Sequence, residues 1–205
     1  MRPFPPNRKL CAQCWILPLL LAGAFSAGLP GDTGKPITVY LVRHAEKLES
    51  SSNTDRDPPL SVDGQARASK LADLLKGCAI SVVYTTPFQR TIDTAMPLVK
   101  HLRLAGSPVR TDPRDMAALL EQIRMQNGKN ALVVGHSNTI PAIARALAGR
   151  DDAVRDIPET SYDNLFVVTI TRWEPREASV KHFRFGKPSP GSENSSLPEF
   201  TGCKE

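Results

Sequence analysis

Residues 37–46 read ITVYLVRHAE, a β-branched apolar run that ends in an arginine and a histidine. Such a run is typical of a buried parallel strand, so we predict a strand over residues 37–42. Arg43 and His44 then stand at its carboxyl end. Ligands of open parallel sheets bind beyond the carboxyl ends of the strands. This pair therefore marks one edge of a candidate functional site.

Further strands are predicted by the other short apolar runs of the chain. Two of them cover residues 80–84 and 131–134, and a shorter one covers residues 109–111. Two later runs, over residues 165–173 and 180–185, are separated by a charged, proline-containing turn and predict an antiparallel pair.

Four stretches between or after these strands place apolar residues at the i, i+3, i+4 and i+7 spacing of an amphipathic helix. They are Ala68, Leu71, Ala72 and Leu75; Ile92, Ala95, Met96 and Val99; Met116, Leu119, Leu120 and Ile123; and Ile140, Ile143, Ala144 and Leu147. Ser61 fits the N-cap of the first helix, and Gly149 fits the end of the fourth. The order predicts an α/β fold, a three-layer α/β/α sandwich with a mostly parallel central sheet and a late antiparallel strand pair.

The first 27 residues have the organisation of a secretory signal peptide. Arg2, Arg8 and Lys9 precede an apolar run over residues 15–25, and small residues follow it. This run is short of the roughly 20 residues that a membrane-spanning helix needs. We therefore expect removal of residues 1–27, no transmembrane anchor after processing, and a periplasmic or secreted protein; the alternative is an uncleaved anchor.

Part of the positive net charge of the chain comes from basic residues in this first segment. The full chain of 205 residues carries a formal net charge of +5, and loss of residues 1–27 leaves 23 basic and 21 acidic residues. So balanced a composition gives no support for nucleic-acid binding. We expect one domain over residues 28–187, followed by an irregular tail, rich in Pro, Gly and Ser, over residues 188–205.

Two cysteines, Cys78 and Cys203, remain after processing. An even number of cysteines in an exported protein is typical of disulfide bonding. We predict a Cys78–Cys203 bridge that ties the tail to the domain; the alternative is one buried and one exposed thiol.

Arginine and histidine side chains follow three of the predicted parallel strands. Arg43 and His44 follow the first, Arg90 lies shortly after the second, and His136 follows the fourth. Guanidinium groups match phosphate oxygens in charge and geometry, and a neutral imidazole can attack phosphorus. Nearby positive charge and burial would each keep a histidine neutral. These residues predict phosphoryl transfer, with no metal or other cofactor, since two arginines beside the histidines would repel a cation.

These residues resemble the signatures of the histidine phosphatase superfamily, also called phosphoglycerate-mutase-like. The matching groups are Arg43, His44, Ala45 and Glu46; Leu60, Ser61, Gly64 and Ala68, with a slight offset; Pro87, Arg90, Thr94 and Ala95; and Gly135 and His136. The resemblance spans about residues 37–150. It implies that His44 is the nucleophile and carries a phosphohistidine intermediate. Arg43, Arg90 and His136 would then hold the phosphoryl oxygens.

The resemblance leaves the general acid open. His136 is followed by Ser137, so the His-Asp arrangement of the phytase-like branch is absent. In the mutase-like branch an acid lies after the second helix, where Asp112, Asp115 and Glu121 are available. We choose Asp115 as the expected acid.

The sequence therefore predicts an exported phosphomonoesterase, a metal-independent histidine phosphatase. Its partner would be a small-molecule phosphate ester or a phosphorylated envelope sugar. Two alternatives stay open: a non-catalytic phosphate-binding module, and a phosphohistidine protein phosphatase.

Overall fold

The computed structural model describes residues 35–49, 56–190, 192 and 195–203. The signal peptide predicted over residues 1–27 lies outside the described residues. Within the described part of the chain, none of the helices is long and apolar enough to span a bilayer.

Strands and helices alternate along the described chain, as predicted. The strands are β1 (Ile37–Arg43), β2 (Ile80–Thr85), β3 (Val109–Arg110), β4 (Asn130–Gly135), β5 (Asn164–Arg172) and β6 (Glu177–Arg184). The helices are α1 (Val62–Leu75), α2 (Gln89–Leu102), α3 (Met116–Arg124) and α4 (Thr139–Ala148). Ser61 caps α1 and Gly149 ends α4, so both predicted helix ends are confirmed.

The strands form one sheet in the order β3-β2-β4-β1-β5-β6. The first four strands of this order are parallel to one another, whereas β5 is antiparallel to β1 and β6 is antiparallel to β5. The predicted mostly parallel sheet with a late antiparallel pair is therefore confirmed. In this sheet β1 and β4 are neighbours, and the amide of His44 donates a hydrogen bond to the carbonyl oxygen of Gly135 at 2.9 Å. The carboxyl ends of these two strands thus meet at one edge.

Two hydrophobic cores cover the two faces of the sheet, because successive residues of a strand point to opposite sides. Tyr40 and Val42 of β1 belong to the core that α1 and α2 cover, while Val39 and Leu41 belong to the core that α3 and α4 cover. The predicted helical stripes supply the opposing surfaces: Leu71, Leu75, Ala95 and Val99 on one face, and Leu119, Ile123, Ile140 and Leu147 on the other. This arrangement is the predicted three-layer sandwich.

The segment after β1 is fixed against the start of α1. The Ser61 side chain accepts a hydrogen bond from the amide of Gly64 at 3.1 Å. A Cβ atom at Gly64 would clash with the carbonyl oxygen of Glu46, so this close approach requires glycine. The carboxylate of Glu46 forms an ion pair with the buried guanidinium of Arg67 at 2.6 Å. Glu46 therefore holds this segment to the helix.

The C-terminal segment is attached to the sheet by a covalent bond and by apolar contacts. Cys78 and Cys203 form the predicted disulfide, with their Cα atoms 5.1 Å apart. Phe200 is buried against Tyr40, and the two ring centroids lie 6.2 Å apart. The amide of Arg184 in β6 donates to the carbonyl oxygen of Pro198 at 2.9 Å.

Removal of the disulfide should destabilise the fold. The bridge joins residues 125 positions apart, and a cross-link of this span restricts the unfolded chain strongly. We expect Cys203→Ser to lower the free energy of unfolding by about 2–4 kcal/mol, as measured by urea denaturation without reductant. The variant should also show one more titratable thiol than the wild type after denaturation, because Cys78 loses its partner. One thiol fewer would contradict the bridge.

Candidate active site

The carboxyl ends of β1, β2 and β4 open into a cavity of about 490 Å³, which we call the catalytic cavity. His44 follows β1, His136 follows β4, and Arg90 lies in the first turn of α2. All three side chains line the catalytic cavity, as do Lys47 and Glu159. The structure thus brings together three of the predicted site residues.

His44 is buried, and the backbone of the next residue fixes its ring. The ring nitrogen Nδ1 lies 2.8 Å from the carbonyl oxygen of Ala45. A carbonyl oxygen only accepts hydrogen bonds, so Nδ1 carries the proton of the neutral ring and Nε2 keeps its lone pair. Nε2 is therefore the nitrogen available for attack on a substrate.

The electrostatics of the cavity keep both histidines neutral. Burial, helped by the charges of Arg43 and Arg90, lowers the pKa of His44 to about 3. Burial and the same two arginines lower the pKa of His136 to about 4. The two rings lie edge to face, with centroids 5.5 Å apart. Since only a neutral imidazole has a free lone pair, His44 keeps the lone pair that nucleophilic attack requires even in mildly acidic solution.

A relay of threonine hydroxyls sets the proton on His136. Its Nε2 lies 3.1 Å from the Thr86 hydroxyl, which in turn lies 2.9 Å from the Thr91 hydroxyl. Thr91 donates to a backbone carbonyl, that of Phe88, at 2.7 Å. Because each hydroxyl has one proton, Thr86 donates to Thr91 and accepts from the Nε2–H of His136. Nδ1 of His136 is therefore unprotonated in the neutral ring.

Arg43 lies behind His44 and is not among the residues that line the catalytic cavity. Its Nη1 donates to the carbonyl oxygens of Glu159 and Ser161, and its Nη2 lies 3.3 Å from the Glu159 carboxylate. The guanidinium carbon lies 4.2 Å from the centroid of the Tyr162 ring. Its Nε is buried and has no hydrogen-bond partner among the described residues. Arg43 therefore holds the loop between α4 and β5 in place and keeps one buried N–H donor.

Arg90 reaches the cavity from the first turn of α2. Its Nη1 lies 3.0 Å from the Asp57 carboxylate, and its guanidinium carbon lies 4.3 Å from the centroid of the Phe88 ring. The Thr94 hydroxyl accepts from the amide of Ala45 at 2.9 Å and donates to the carbonyl oxygen of Arg90 at 2.7 Å. The Arg-x-x-x-Thr spacing thus links the segment that carries His44 to the helix that presents Arg90.

The structure does not bring Asp115, the expected general acid, into the lining of the cavity. Asp115 is exposed, and its carboxylate caps α3 by accepting from the amide of Ala118 at 2.9 Å.

Among the described residues that line the cavity, Glu159 is the one with a carboxylate, and this carboxylate accepts a hydrogen bond from the Ser137 hydroxyl at 2.7 Å. This hydrogen bond lowers the pKa of Glu159, and Arg43 adds to the effect. Sequence reasoning missed Glu159 because the loop over residues 149–163 carries several acidic residues and no motif distinguishes one of them.

Comparison with known proteins agrees with the geometry. Residues 39–114 match the family model of the histidine phosphatase superfamily, branch 1. No curated protein sequence matches the chain.

Several solved structures share the fold. The protein histidine phosphatase SixA, solved with tungstate, has a TM-score of 0.55 and 20% sequence identity, over 75% of this chain and 97% of SixA. A protein from Nakamurella multipartitia described as a SixA phosphohistidine phosphatase has a TM-score of 0.51 and 22% identity, over 75% of this chain and 96% of its own. The mycobacterial glucosyl-3-phosphoglycerate phosphatase has a TM-score of 0.52 and 13% identity, over 71% of this chain and 97% of its own.

The match over residues 39–114 contains both His44 and Arg90. The α/β fold around these residues is shared with the solved structures. Residues 39–114 are thus similar to the histidine phosphatase superfamily, and this match supports the resemblance that the motifs predicted.

Proposed function

We propose that the protein is an exported, metal-independent phosphomonoesterase that acts through a phosphohistidine on His44. The state of His44 carries this proposal. The ring is buried and neutral, its Nδ1–H is held by the carbonyl oxygen of Ala45, and its Nε2 is left as a nucleophile in a cavity lined by Arg90 and His136.

The reaction has two steps at phosphorus. First, Nε2 of His44 attacks, the N–P bond forms, the P–O bond to the leaving group breaks, and the leaving oxygen takes a proton. Then water attacks phosphorus, the N–P bond breaks, and phosphate and neutral His44 are released. Arg90 and the buried Nε–H of Arg43 would stabilise the negative charge on the phosphoryl oxygens in both steps.

Glu159 is our candidate for the proton donor, in place of Asp115. It lines the cavity, and its exposed carboxylate can exchange protons with solvent. The dianion of a bound phosphate ester would raise its pKa by like-charge repulsion, which opposes the effect of Ser137. After proton transfer, the carboxylate could accept the proton of the attacking water in the second step.

Replacement of Glu159 should matter most for poor leaving groups. We expect Glu159→Gln to slow phosphorylation of His44 by an alkyl phosphate roughly 10²-fold, the lower range for general acids. The loss should be much smaller with an aryl phosphate, because a phenolate leaves without a proton. Rapid-quench measurement of the phosphoenzyme tests this. Asp115→Asn, which conserves the cap of α3, should match the wild type; loss with the alkyl ester in this variant alone would return the role to Asp115.

The fold neighbours support phosphate chemistry. SixA was solved with tungstate, an oxyanion similar to phosphate, and the mycobacterial neighbour is a phosphatase of a sugar-acid phosphate. The SixA neighbours also favour phosphohistidine protein phosphatase as the second candidate function. Hydrolysis of a phosphohistidine peptide faster than of any phosphate ester would establish that alternative.

Export is supported by the disulfide, because such bonds persist in oxidising compartments. The proposal includes removal of residues 1–27 and a periplasmic or secreted location. N-terminal sequencing of protein recovered from outside the cytoplasm tests it, and a fully cytoplasmic, unprocessed protein would contradict it.

Hydrolysis of an aryl phosphate in excess EDTA tests the central proposal. We expect turnover to survive chelation. The kcat/KM, corrected for ionisation of the substrate, should show no loss near pH 6.5, the ordinary histidine pKa, because the pKa values of His44 and His136 are about 3 and about 4. Activity restored only by a divalent cation would contradict the mechanism. Binding of phosphate without any turnover would favour the non-catalytic module.

A further inference from the structure

A second cavity, of about 210 Å³, adjoins the catalytic cavity. It lies between α3 and α4, and we call it the apolar subsite. The two cavities share four lining residues: Pro113, Arg114, Asn138 and Thr139. A substrate held at His44 can therefore extend from one into the other.

Apolar side chains line much of the apolar subsite: Met116, Leu119, Val133, Ala142 and Ile143. Leu119 and Ile143 are buried core residues, whereas Met116 is 37% exposed at the start of α3. A large apolar side chain that is partly exposed beside a reactive cavity is a surface that an apolar ligand can cover.

The threonine hydroxyls inside the subsite already have partners, whereas Arg114 and Asn138 line both cavities, and the Asp112 carboxylate accepts from the amide of Arg114 at 2.9 Å. The Thr86 hydroxyl is paired with Thr91 and His136, and the Thr111 hydroxyl donates to the carbonyl oxygen of Thr85 at 3.2 Å. The Thr139 hydroxyl accepts from the amide of His136 at 2.9 Å. A ligand rich in hydroxyl groups would leave hydrogen bonds unmade there, which costs free energy. An apolar group has no hydrogen bonds of its own to lose there.

We propose that the apolar subsite binds the leaving group of the substrate, and that this group is an alkyl chain or an aromatic ring. The inference rests on the proposed phosphatase function and narrows its substrate class to phosphate monoesters of apolar alcohols. The size is adequate, since an engineered apolar cavity of about 150 Å³ in another protein binds benzene. The shared lining residues place the apolar group beside the catalytic cavity, where the phosphoryl group would bind.

Binding of alkylphosphonates tests the subsite separately from catalysis, because their P–C bond is not hydrolysed. Titration calorimetry on the purified full chain would compare methyl-, butyl- and hexylphosphonate. We expect the Kd to fall by about fourfold for each methylene group buried, until the subsite is full. Equal Kd values across the series would overturn the proposal.

Two variants locate the effect. Ala142→Leu fills the subsite, and Met116→Gln makes its entrance polar, so each should flatten the dependence of Kd on chain length. Ala118→Leu is the matched control, since Ala118 is exposed on α3 and does not line the subsite; it should keep the wild-type dependence. A dependence that persists in both subsite variants would place the apolar group elsewhere and overturn the proposal.

The phosphonate series, together with hydrolysis of the corresponding phosphate esters, distinguishes failure of the subsite from failure of the proposed phosphatase function. Phosphonate binding that strengthens with chain length, without hydrolysis of any ester, would support the subsite and contradict the phosphatase. Hydrolysis of ethyl and hexyl phosphate with equal kcat/KM, together with equal phosphonate Kd values, would support the phosphatase and contradict the subsite.

Discussion

The His44→Asn protein is expected to hydrolyse phosphate esters at least roughly 10⁴-fold more slowly than the wild type, the scale seen when a covalent nucleophile is removed. The reason is the N–P bond that His44 would form: its Nε2 has a free lone pair because the carbonyl oxygen of Ala45 holds Nδ1–H. An asparagine amide nitrogen has no comparable nucleophilicity. Asparagine is polar like histidine and should preserve the local fold. The loss of activity would therefore be due to the missing nucleophile.

Phosphoenzyme trapping identifies the nucleophile directly. A radiolabelled aryl phosphate, quenched in base to preserve an N–P bond, should label the wild type on His44 and should not label His44→Asn. His101→Asn is the control, because His101 is exposed on α2 and outside the catalytic cavity; its labelling and turnover should equal those of the wild type. Label on His136 in the His44→Asn protein would reassign the nucleophile.

The elements of the fold were predictable because apolar periodicity reports the face that each element buries. The run over residues 37–42 lies within β1, and the stripe that starts at Ala68 is the buried side of α1. The ends of strands were less predictable. The last strand begins at Glu177, ahead of the apolar run at residue 180, because pairing with β5 continues through exposed polar residues.

The positions of the site residues were predictable, but the directions of their side chains were not. His44 and His136 meet because β1 and β4 are neighbours in the sheet. Arg43 is adjacent to His44 in sequence, yet its guanidinium contacts the backbone around Glu159. Neighbouring residues of an extended chain point in opposite directions, and only the tertiary path of the loop after α4 determines what Arg43 meets.

The two candidate proton donors, Asp115 and Glu159, show the same limit. Asp115 lies after α2, where the resemblance leads one to expect an acid, but its carboxylate accepts a hydrogen bond from the amide of Ala118 at the start of α3. Glu159 reaches the cavity from an irregular loop, whose path depends on contacts with Arg43 and Ser137 rather than on periodicity. The cause of the low pKa of His44 was also open from sequence, since burial and positive charge act in the same direction; burial is the larger cause.

Loss of Arg90 is expected to lower kcat/KM by roughly 10² to 10³, or about 3–4 kcal/mol, as for removal of one preorganised donor to a developing charge. Arg90→Gln removes the charge and the guanidinium fork that would face the phosphoryl oxygens in the catalytic cavity. It also leaves the Asp57 carboxylate, 3.0 Å from Arg90 Nη1, without that cation. The double variant with Asp57→Asn separates the two effects: if repulsion by Asp57 contributes, the double variant recovers part of the loss.

Arg145→Gln provides a matched control for the loss of a surface ion pair. Arg145 lies 2.9 Å from the carboxylate of Asp156, a distance close to that of the Arg90–Asp57 pair, but it lies outside the catalytic cavity. Its kinetics should therefore equal those of the wild type. A loss in Arg145→Gln as large as that in Arg90→Gln would show that the effect comes from the fold and not from phosphate.

Arg90→Lys then asks whether charge or geometry is the larger contribution. Lysine keeps the positive charge but presents a single donor point, whereas a guanidinium donates two parallel hydrogen bonds to adjacent oxygens. If geometry dominates, Arg90→Lys should restore the affinity for inorganic phosphate more than it restores kcat, because the fork matters most when the phosphoryl group is in transfer. Equal recovery of both would mean that Arg90 acts through its charge alone, and that the directional hydrogen bonds come from other donors, such as the Nε–H of Arg43.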